Sequence, residues 1–367
     1  MSGAYKLQCA TNSGIEVLAI ANELAQNPAV EWAEPDMLMK SRGGRGIGSK
    51  NIEQLYSETS SMDFAPAFAQ ALRGQSTQST PLSSAQGPNG IPDDPLFSYQ
   101  WALHSDGSFG SIPYLDIDAD QAWDITTGDA AIKVVVLDVG IEQSHPEINQ
   151  LPGADFTGSG GGGGPVNACD NQGTNVAGCI TGFLNNSVGI AGVAPDCKVV
   201  SAKIAVALLS CDDSWSGVAS YTVDAIHFGD TSGCRVSVNS NQYGFTSGAI
   251  DAEYATSYAN GMIHFGMSGY TSIDGNLNYP GSIAQVNAIN SVRLNGTRSG
   301  EYGPGLFLTC PGELILTTDR SGADGYDTGD YNYFYVSGPP SYAAAVAALI
   351  LSQEPALTPS QVEDRMG

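Results

Sequence analysis

The sequence predicts an α/β fold in which helices cover both faces of a mostly parallel central sheet. Short runs rich in β-branched residues, apolar on both faces, recur from residue 132 onward, and stretches of helical periodicity separate them. This alternation is typical of parallel sheets. The chain of 367 residues is 42% hydrophobic and only 14% charged, so it has enough apolar side chains to bury a large core. This composition excludes disorder over the whole chain.

The first ninety residues are organised differently from the rest. Residues 1–40 contain a short strand pattern (YKLQCA), an amphipathic helix pattern (IEVLAIANELAQ) and a second strand pattern (VEWAEPDML), which together predict a small α+β segment. Residues 41–90 are rich in Gly, Ser and Gln and are typical of a linker. Residues 91–367 are then expected to form the main domain.

Five apolar runs predict strands of the central sheet in the main domain: residues 132–138, 198–204, 235–239, 261–267 and 284–292. Ligands of doubly wound sheets bind beyond the carboxyl ends of the strands. We therefore expect Asp138, the segment around Ser240 and the segment around Gly269 to lie on one rim. That rim is the candidate functional site.

Charge and targeting patterns limit the partners of the chain. The formal net charge is −24, which argues against nucleic acid or an anionic membrane and favours a basic ligand or a metal cation. No apolar run reaches the roughly 18–20 residues that a membrane helix needs. The first residues, MSGAYKLQCA, lack the basic-then-apolar pattern of a signal peptide. We expect neither a membrane span nor a signal peptide in this chain.

The seven cysteines include no CxxC pair and lie near no histidine cluster, so a structural zinc site is not expected. Six of them follow residue 160. An even set of these could form disulfides in an exported protein, and buried free thiols are the alternative.

Four segments resemble, in order, the subtilisin-like serine peptidases (subtilases). They are VVVLDVGIEQSHPEI; DNQGTNVAG with LNNSVGIAGVAP; GMIHFGMSGY with YPGSIAQVNAINSV; and YGPGLFLTCPGELILTT running into VSGPPSYAAAVAALIL. The resemblance spans about residues 91–367. It implies the subtilisin-like three-layer fold, a polypeptide substrate or peptide ligand, and an extracellular or exported full-length protein.

The ends of the chain also resemble family segments. NPAVEWAEPDML resembles the last part of a subtilase propeptide, and PDDPLFSYQWAL resembles the start of the mature enzyme. The resemblance implies that the propeptide-like segment is an intramolecular partner of the main domain. A family propeptide is longer, and LTPSQVEDRMG resembles part of the last family helix. We therefore expect the chain to be a fragment that is incomplete at its C-terminus.

The catalytic positions depart from the family pattern. Serine-peptidase chemistry needs a hydroxyl nucleophile, an imidazole base, a carboxylate that orients the imidazole, and donors for the oxyanion. The resemblance assigns the carboxylate to Asp138. Gln172 and Asn175 replace the two histidines of the family's HGTHVAG, with Gln172 at the triad position, and Tyr270 replaces the oxyanion asparagine. Because a glutamine amide cannot act as a base near neutral pH, we expect the proton acceptor to be missing.

The nucleophile motif, GTSxAxP in the family, can be aligned with GPPSYAAA in two ways. Anchored on Ser337 and Gly338, the alignment puts Pro340 at the serine position, and no nucleophile remains. Anchored on Ser341, it retains a serine beside two prolines and shortens the following helix by about one 3.6-residue turn. We favour Ser341 as the nucleophile candidate. The chain's four histidines lie in segments that give none of them a position from which to replace the base: His104, His145, His227 and His264.

The edge that pairs with the substrate backbone also differs from the family. There an SLGG-like sequence lets a peptide add as a strand, because glycines permit a close backbone approach. The matching residues here are Ser240, Asn241, Gln242 and Tyr243. We expect these larger side chains to narrow or fill the cleft.

A calcium-type loop is retained. LNNSVGIAG resembles the subtilase loop that offers backbone carbonyls and one Asn side chain to Ca²⁺. The resemblance implies a structural Ca²⁺ site formed by Asp94, Glu147, Leu184, Asn186, Val188 and Ile190. Mixed oxygen ligands of this kind suit a hard cation. A plain Asn-rich turn is the alternative.

These features together predict a subtilisin-like serine endopeptidase homologue that is inactive, that is, a pseudoprotease. Two alternatives stay open at this point. One is an active serine endopeptidase that cleaves protein substrates. The other is a non-catalytic peptide-binding or structural module.

Overall fold

A computed structural model describes residues 6–11, 13–30, 32–41, 90–107, 110–211, 214–270, 275–334 and 338–367. The described strands are, in chain order, β1 (Leu38–Ser41), β2 (Lys133–Asp138), β3 (Gln150–Asp155), β4 (Lys198–Lys203), β5 (Val206–Ala207), β6 (Trp215–Val218), β7 (Val236–Asn239), β8 (Ile263–Met267), β9 (Val286–Val292), β10 (Arg298–Ser299), β11 (Leu306–Pro311), β12 (Ile315–Thr318) and β13 (Tyr331–Phe334). The described helices are α1 (Gly14–Leu24), α2 (Ala119–Ala122), α3 (Gln172–Thr181), α4 (Ala219–Thr231), α5 (Gly248–Ala259), α6 (Pro339–Gln353) and α7 (Pro359–Met366).

The central sheet has the strand order β3-β4-β2-β7-β8-β9, and every neighbouring pair in that order is parallel. Next to them, β11 pairs with β9 in parallel and the short β10 pairs with β9 in antiparallel orientation. The five predicted runs form β2, β4, β7, β8 and β9, so the predicted mostly parallel sheet is confirmed. The edge strand β3 was not predicted, because its residues, QLPGAD, are half-buried or exposed and include Pro and Gly.

Helices cover both faces of this sheet, as a three-layer fold requires. Side chains alternate between the two faces along a strand. In β2, Val134 and Val136 belong to the hydrophobic cluster that includes α3 and α6, whereas Val135 and Leu137 belong to the cluster that includes α4 and α5. Both faces of the central strands are therefore buried, which explains why their sequences are continuously apolar.

The N-terminal segment joins the main domain through a second, small sheet. β1 pairs with β6 in antiparallel orientation, with Met39 opposite Gly217 and Ser41 opposite Trp215, and β6 pairs in turn with β5. A Cβ at Gly217 would lie 2.5 Å from the carbonyl oxygen of Ile204. Glycine at this position therefore allows the close backbone packing of the small sheet.

The helix predicted in the N-terminal segment is confirmed as α1, but its two predicted strands are wrong. No described strand pairs with residues 6–11. The backbone N–H and C=O groups of these residues therefore form no sheet hydrogen bonds with a described strand. The second strand, predicted over residues 30–38, begins only at Leu38. The residues before it make side-chain contacts to helices of the main domain instead.

Both alternatives for the cysteines occur, because one pair forms a disulfide and the others are free thiols. Cys169 and Cys211 form a disulfide, which joins the segment before α3 to the loop between β5 and β6. The other five are free thiols, four of them buried: Cys9, Cys179, Cys197, Cys234 and Cys310. Within the described parts of the chain, no helix is both long and apolar enough to cross a membrane.

Candidate active site

The rim at the carboxyl ends of the central strands brings the predicted catalytic positions together. Asp138 is the last residue of β2, Gln172 is the first residue of α3, Ser240 follows β7 and Tyr270 follows β8. A Cβ at Gly173 would lie 3.2 Å from the Cβ of Asp138, so the start of α3 packs directly on the end of β2. The expectation that these segments share one rim is confirmed.

Asp138 is a buried carboxyl group without an imidazole to orient. Its side chain is 1% exposed, and its Oδ1 accepts a hydrogen bond of 2.7 Å from the backbone N–H of Val139. Its Oδ2 has no hydrogen-bond partner in the described structure. Burial, together with the negative charge of Asp170, raises the pKa of Asp138 to about 7, because desolvation disfavours the ionised form.

Gln172 uses its amide as a structural donor. It is 8% exposed, and its Nε2 donates a 3.3 Å hydrogen bond to the carbonyl oxygen of Ser240. Asn175, one turn further along α3, donates from its Nδ2 to the carbonyl oxygen of Thr318 at 2.9 Å and to the side chain of Asn332. Neither amide offers a group that takes up a proton near neutral pH.

Tyr270 donates to the same carbonyl as Gln172. Its hydroxyl lies 3.0 Å from the carbonyl oxygen of Ser240 and donates to it. In the family an asparagine at this position supplies a donor to the oxyanion. Here the hydroxyl at that position is engaged with the protein backbone, so it is not presented to a reacting carbonyl.

Ser341 lies inside a helix. It is the third residue of α6, after Pro339 and Pro340, it is fully buried, and its Oγ donates to the carbonyl oxygen of Gly338. Pro340, the residue of the other alignment, carries no nucleophile. Neither residue presents a hydroxyl to a substrate in this arrangement.

Ser337 is the remaining serine near this helix start, and it lies outside the described residues. Proline favours the first turn of a helix, and Pro339 and Pro340 occupy that turn of α6. Ser337 is the nearest serine before them in the sequence, so its hydroxyl is included in the activity test.

All four histidines are engaged away from these positions. On the surface, His104 contacts Asp120 at 2.9 Å and His227 contacts Glu253 at 3.2 Å. Two further histidines are buried. His145 accepts from the backbone N–H of Glu147 at 3.2 Å. His264 lies between the hydroxyls of Ser237 and Ser257, where burial lowers its pKa to about 3. That no histidine replaces the base stays a prediction.

Tyr243, the last residue of the Ser240–Tyr243 segment, packs its side chain into the core. The ring of Tyr243 is buried against Trp215. Its hydroxyl lies 3.0 Å from Thr222 Oγ1 and accepts a 2.7 Å hydrogen bond from Nδ2 of Asn239. Tyr243 is thus held in the core, and the filling of the cleft beside this segment stays a prediction.

The residues of the predicted calcium site also lie together. Asp94 accepts backbone hydrogen bonds from Asn185 at 2.9 Å and from Asn186 at 3.2 Å. Glu147 accepts from Nδ2 of Asn186 and, at 2.6 Å, from the hydroxyl of Tyr331. The other three predicted ligands belong to the same loop: Leu184, Val188 and Ile190.

The backbone of this loop alternates in handedness. Asn185, Ser187 and Gly189 have φ values of 55°, 59° and 54°, so each predicted loop ligand is flanked by a residue in the left-handed region. Burial raises the pKa values of both Asp94 and Glu147 to about 7, and the charge of Asp94 adds to the shift at Glu147. In the described residues no three His, Cys, Asp or Glu side chains form a metal-binding group, so an ion here would depend on amide and backbone oxygens.

Comparison with known proteins identifies the class. The model of the subtilase family, described as Peptidase_S8, matches residues 129–366. The chain therefore belongs to the subtilase family.

Individual relatives agree with this assignment. Subtilisin from Bacillus pumilus is 35% identical over 243 residues, which are 64% of this chain and 82% of that protein. Subtilisin NAT from Bacillus subtilis subsp. natto is 34% identical over 243 residues, and the chain spans only 59% of its length. Among solved structures, a protease of Pseudoalteromonas arctica PAMC 21717 has a TM-score of 0.62 and 28% sequence identity, over 74% of this chain and 90% of that one.

Proposed function

We propose that this subtilase homologue is a pseudoprotease that keeps the fold and the substrate groove of its family but lacks peptidase activity. One observation carries the proposal. Gln172 occupies the position of the general base, and its amide donates to Ser240. A serine hydroxyl without a base is a weak nucleophile, and a neutral amide cannot take its proton.

The neighbouring positions support the same conclusion. Asp138 retains the orienting carboxylate, but it has no imidazole beside it. Tyr270 donates to Ser240, and Ser341 is buried within α6. Gln172 and Tyr270 therefore both donate to Ser240, and among these described residues none is arranged to move a proton between a hydroxyl and a leaving amine.

We propose that the main domain holds the N-terminal segment as an intramolecular partner of propeptide type. The groove that holds it is the surface bordered by β6. β1 adds to β6 as an antiparallel strand, which is a known way for proteins to bind extended peptides. Met39 is fully buried in this pairing, and the hydroxyl of Thr222 lies 3.9 Å from its sulfur. This pairing also makes a polypeptide the expected ligand class of the groove.

Two carboxylates of the segment support this role, because each caps a helix of the main domain. Glu34 accepts from the backbone N–H groups of Gly248 at 3.0 Å and Ala249 at 3.3 Å, at the start of α5. Asp36 accepts from the backbone N–H of Ser220 at 2.9 Å, at the start of α4. A negative charge at a helix N-terminus is favourable, so these contacts attach the segment to the main domain.

We further propose that the Asp94 and Glu147 loop binds a structural Ca²⁺ and that the full-length protein is exported. The donor set fits a hard cation. Two buried carboxylates with raised pKa values would be compensated by a positive ion between them. Export is consistent with the Cys169–Cys211 disulfide, because disulfides persist in oxidising compartments.

Hydrolysis of fluorescein-labelled casein at pH 7–9 tests the absence of activity, with Bacillus subtilisin as the positive control. The matched variant is the double substitution Ser337→Ala and Ser341→Ala, which removes both candidate hydroxyls. We expect the unaltered chain and this variant to release label at the same background rate. A rate that disappears in the double variant would establish an active endopeptidase instead.

A further inference from the structure

A disulfide joins the turn between β5 and β6 to the segment before α3. Cys211 lies in this turn, and its sulfur is bonded to that of Cys169. Cys211 is exposed, whereas Cys169 is only 8% exposed. The neighbouring turn residue Leu209 is 81% exposed. The turn therefore reaches into solvent, and the disulfide attaches it covalently to the main domain.

The strand before this turn is attached by contacts that do not involve the sulfur atoms. The backbone N–H of Ala207 donates to Oδ1 of Asp170 at 2.7 Å, and its carbonyl oxygen accepts from Nδ2 of Asn167 at 3.1 Å. Asp170 also forms a buried ion pair of 3.1 Å with Lys203. These contacts hold β5 on the main domain whether or not the disulfide is intact.

The turn has a backbone conformation that needs support from other contacts. Cys211 has a φ of 47°, and the left-handed region is unfavourable for a residue other than glycine. Within the turn, the N–H of Cys211 donates to the carbonyl oxygen of Leu208 at 3.0 Å, and the N–H of Leu208 donates to that of Ser214 at 2.7 Å. Loss of the disulfide removes the covalent constraint on Cys211, so the turn gains conformational freedom.

This turn leads directly into the part of β6 that holds the C-terminal end of β1. Ser41, the last residue of β1, pairs with Trp215, the first residue of β6. The opposite end of β1 is held by α4 as well, because the N–H of Ala219 donates to the carbonyl oxygen of Met37 at 3.1 Å. The C-terminal end of β1 is therefore the end that depends on the turn.

We propose that the Cys169–Cys211 disulfide is a redox-sensitive latch, through which a thiol reductant releases the C-terminal end of β1 from β6. A thiolate of the reductant attacks the exposed sulfur of Cys211, the S–S bond breaks, and Cys169 leaves as a thiolate that takes up a proton. A second thiolate of the reductant then attacks the mixed disulfide, and Cys211 leaves and is protonated in the same way. The reductant is thereby oxidised to a disulfide, and two electrons pass to the two cysteines.

The latch would hold the N-terminal segment firmly in an oxidising compartment and loosen it in a reducing one. This inference rests on the proposed function only in treating the N-terminal segment as an intramolecular partner of the main domain. It does not require peptidase activity to be absent.

Hydrogen exchange of the full chain, before and after treatment with dithiothreitol, tests the latch. Alkylation and peptide mapping identify the reduced Cys169 and Cys211. We expect amide exchange in peptides covering β1 to become about tenfold faster after reduction, whereas exchange in β2, in the middle of the central sheet, stays unchanged. Unchanged exchange in β1 would overturn the proposal. Equal acceleration in β1 and β2 would also overturn it, because the disulfide would then stabilise the whole domain.

The double variant Cys169→Ala and Cys211→Ala should exchange rapidly in β1 with or without reductant, and slow exchange in it would contradict the latch. Cys9→Ala is the matched control, because it removes a free thiol of the N-terminal segment and keeps the disulfide. It should respond to dithiothreitol like the unaltered chain, and a lost response would count against the proposal.

If the double variant fails to fold, reoxidation of the reduced chain replaces it. Reoxidation should restore slow exchange in β1, and exchange that stays fast would contradict a reversible latch. Protection of β1 in the oxidised chain tests its pairing with the main domain, and casein hydrolysis is measured separately. A failure of the latch is therefore distinguishable from a failure of the proposed function.

Discussion

Gln172 is the residue on which the proposed loss of activity depends, but it is not the only altered one. The Gln172→His variant restores an imidazole beside Asp138. We expect it to remain at the background rate of casein hydrolysis. Tyr270 stays hydrogen-bonded to the carbonyl oxygen of Ser240, and triad members act as a unit, so restoring one of them is not enough. If this variant hydrolysed casein at a rate well above that of Gln172→Ala, the remaining groups would still be arranged for catalysis.

The contribution of Asp138 to stability is expected to depend on pH. Its pKa is about 7 in the folded chain and about 3.9 in an unfolded one. The protonated form is therefore favoured by folding. Its stabilising contribution is fully present below pH 4, decreases between pH 4 and 7 as the unfolded chain releases the proton, and is absent above pH 7.

The Asp138→Asn variant tests this sign, because it cannot ionise. Relative to the unaltered chain, its free energy of unfolding should increase as pH rises from 4 to 8. Asp124→Asn, at an exposed position, is the control and should follow the unaltered chain at every pH. Chemical denaturation at pH 4, 6 and 8 measures this. A relative stability of Asp138→Asn that stays constant or decreases with pH would contradict the pKa of the buried carboxyl.

The strands of the central sheet were predictable as elements because they are buried on both faces, so each is a short apolar run. The strand near the N-terminus was not, because β1 is only Leu38–Ser41 and forms by pairing with β6, far away in sequence. At the start of α6, Pro339 and Pro340 occupy the first helical turn, as proline prefers. The assignment of Ser341 as the nucleophile candidate stays a prediction.

The caps on α4 and α5 predict how firmly the N-terminal segment is attached. Glu34→Ala removes a carboxylate that accepts from two backbone N–H groups and from Ser247. Loss of a cap costs about 1–2 kcal/mol, so we expect a decrease of that size in the free energy of unfolding. Urea denaturation measures it.

Glu23→Ala is the matched control, because Glu23 is an exposed glutamate of α1. We expect it to change the free energy of unfolding by less than about 0.5 kcal/mol. If Glu34→Ala were as mild as Glu23→Ala, the carboxylate would not hold the segment on α5.

For the molecule as a whole, the order of the motifs predicted the fold. It did not predict the hydrogen bonds that the side chains of the rim form. The resemblance identified Asp138, Gln172 and Tyr270 as one constellation, and their meeting on one rim is confirmed. That Gln172 and Tyr270 both donate to Ser240 depends on side-chain directions across three elements. Spacing along a sequence does not encode those directions.

Stability of the whole molecule is expected to depend on Ca²⁺. A site that binds only in the folded state adds about 2.7 kcal/mol at a hundredfold excess of ion over Kd, so chelation should lower the melting temperature. Any divalent cation also screens a chain of net charge −24. A specific oxygen site prefers Ca²⁺ to the smaller Mg²⁺, and thermal unfolding in each ion separates the two effects.

The control for the ion is the double variant Asp94→Ala and Asn186→Ala. It should lose the preference for Ca²⁺ and keep the general response to divalent cations. Equal stabilisation by both ions, in the unaltered chain as in the variant, would mean that the loop is only a turn.

Reaction with a fluorophosphonate, which labels an activated serine covalently, tests the absence of an activated nucleophile most directly. The full chain and Bacillus subtilisin are treated side by side at pH 8, and intact mass and peptide mapping identify any modified residue. We expect stoichiometric labelling of the subtilisin and none of this chain, because a hydroxyl without an imidazole base is not activated. Stoichiometric labelling at Ser337 or Ser341 that is abolished by substituting that serine with alanine would contradict it.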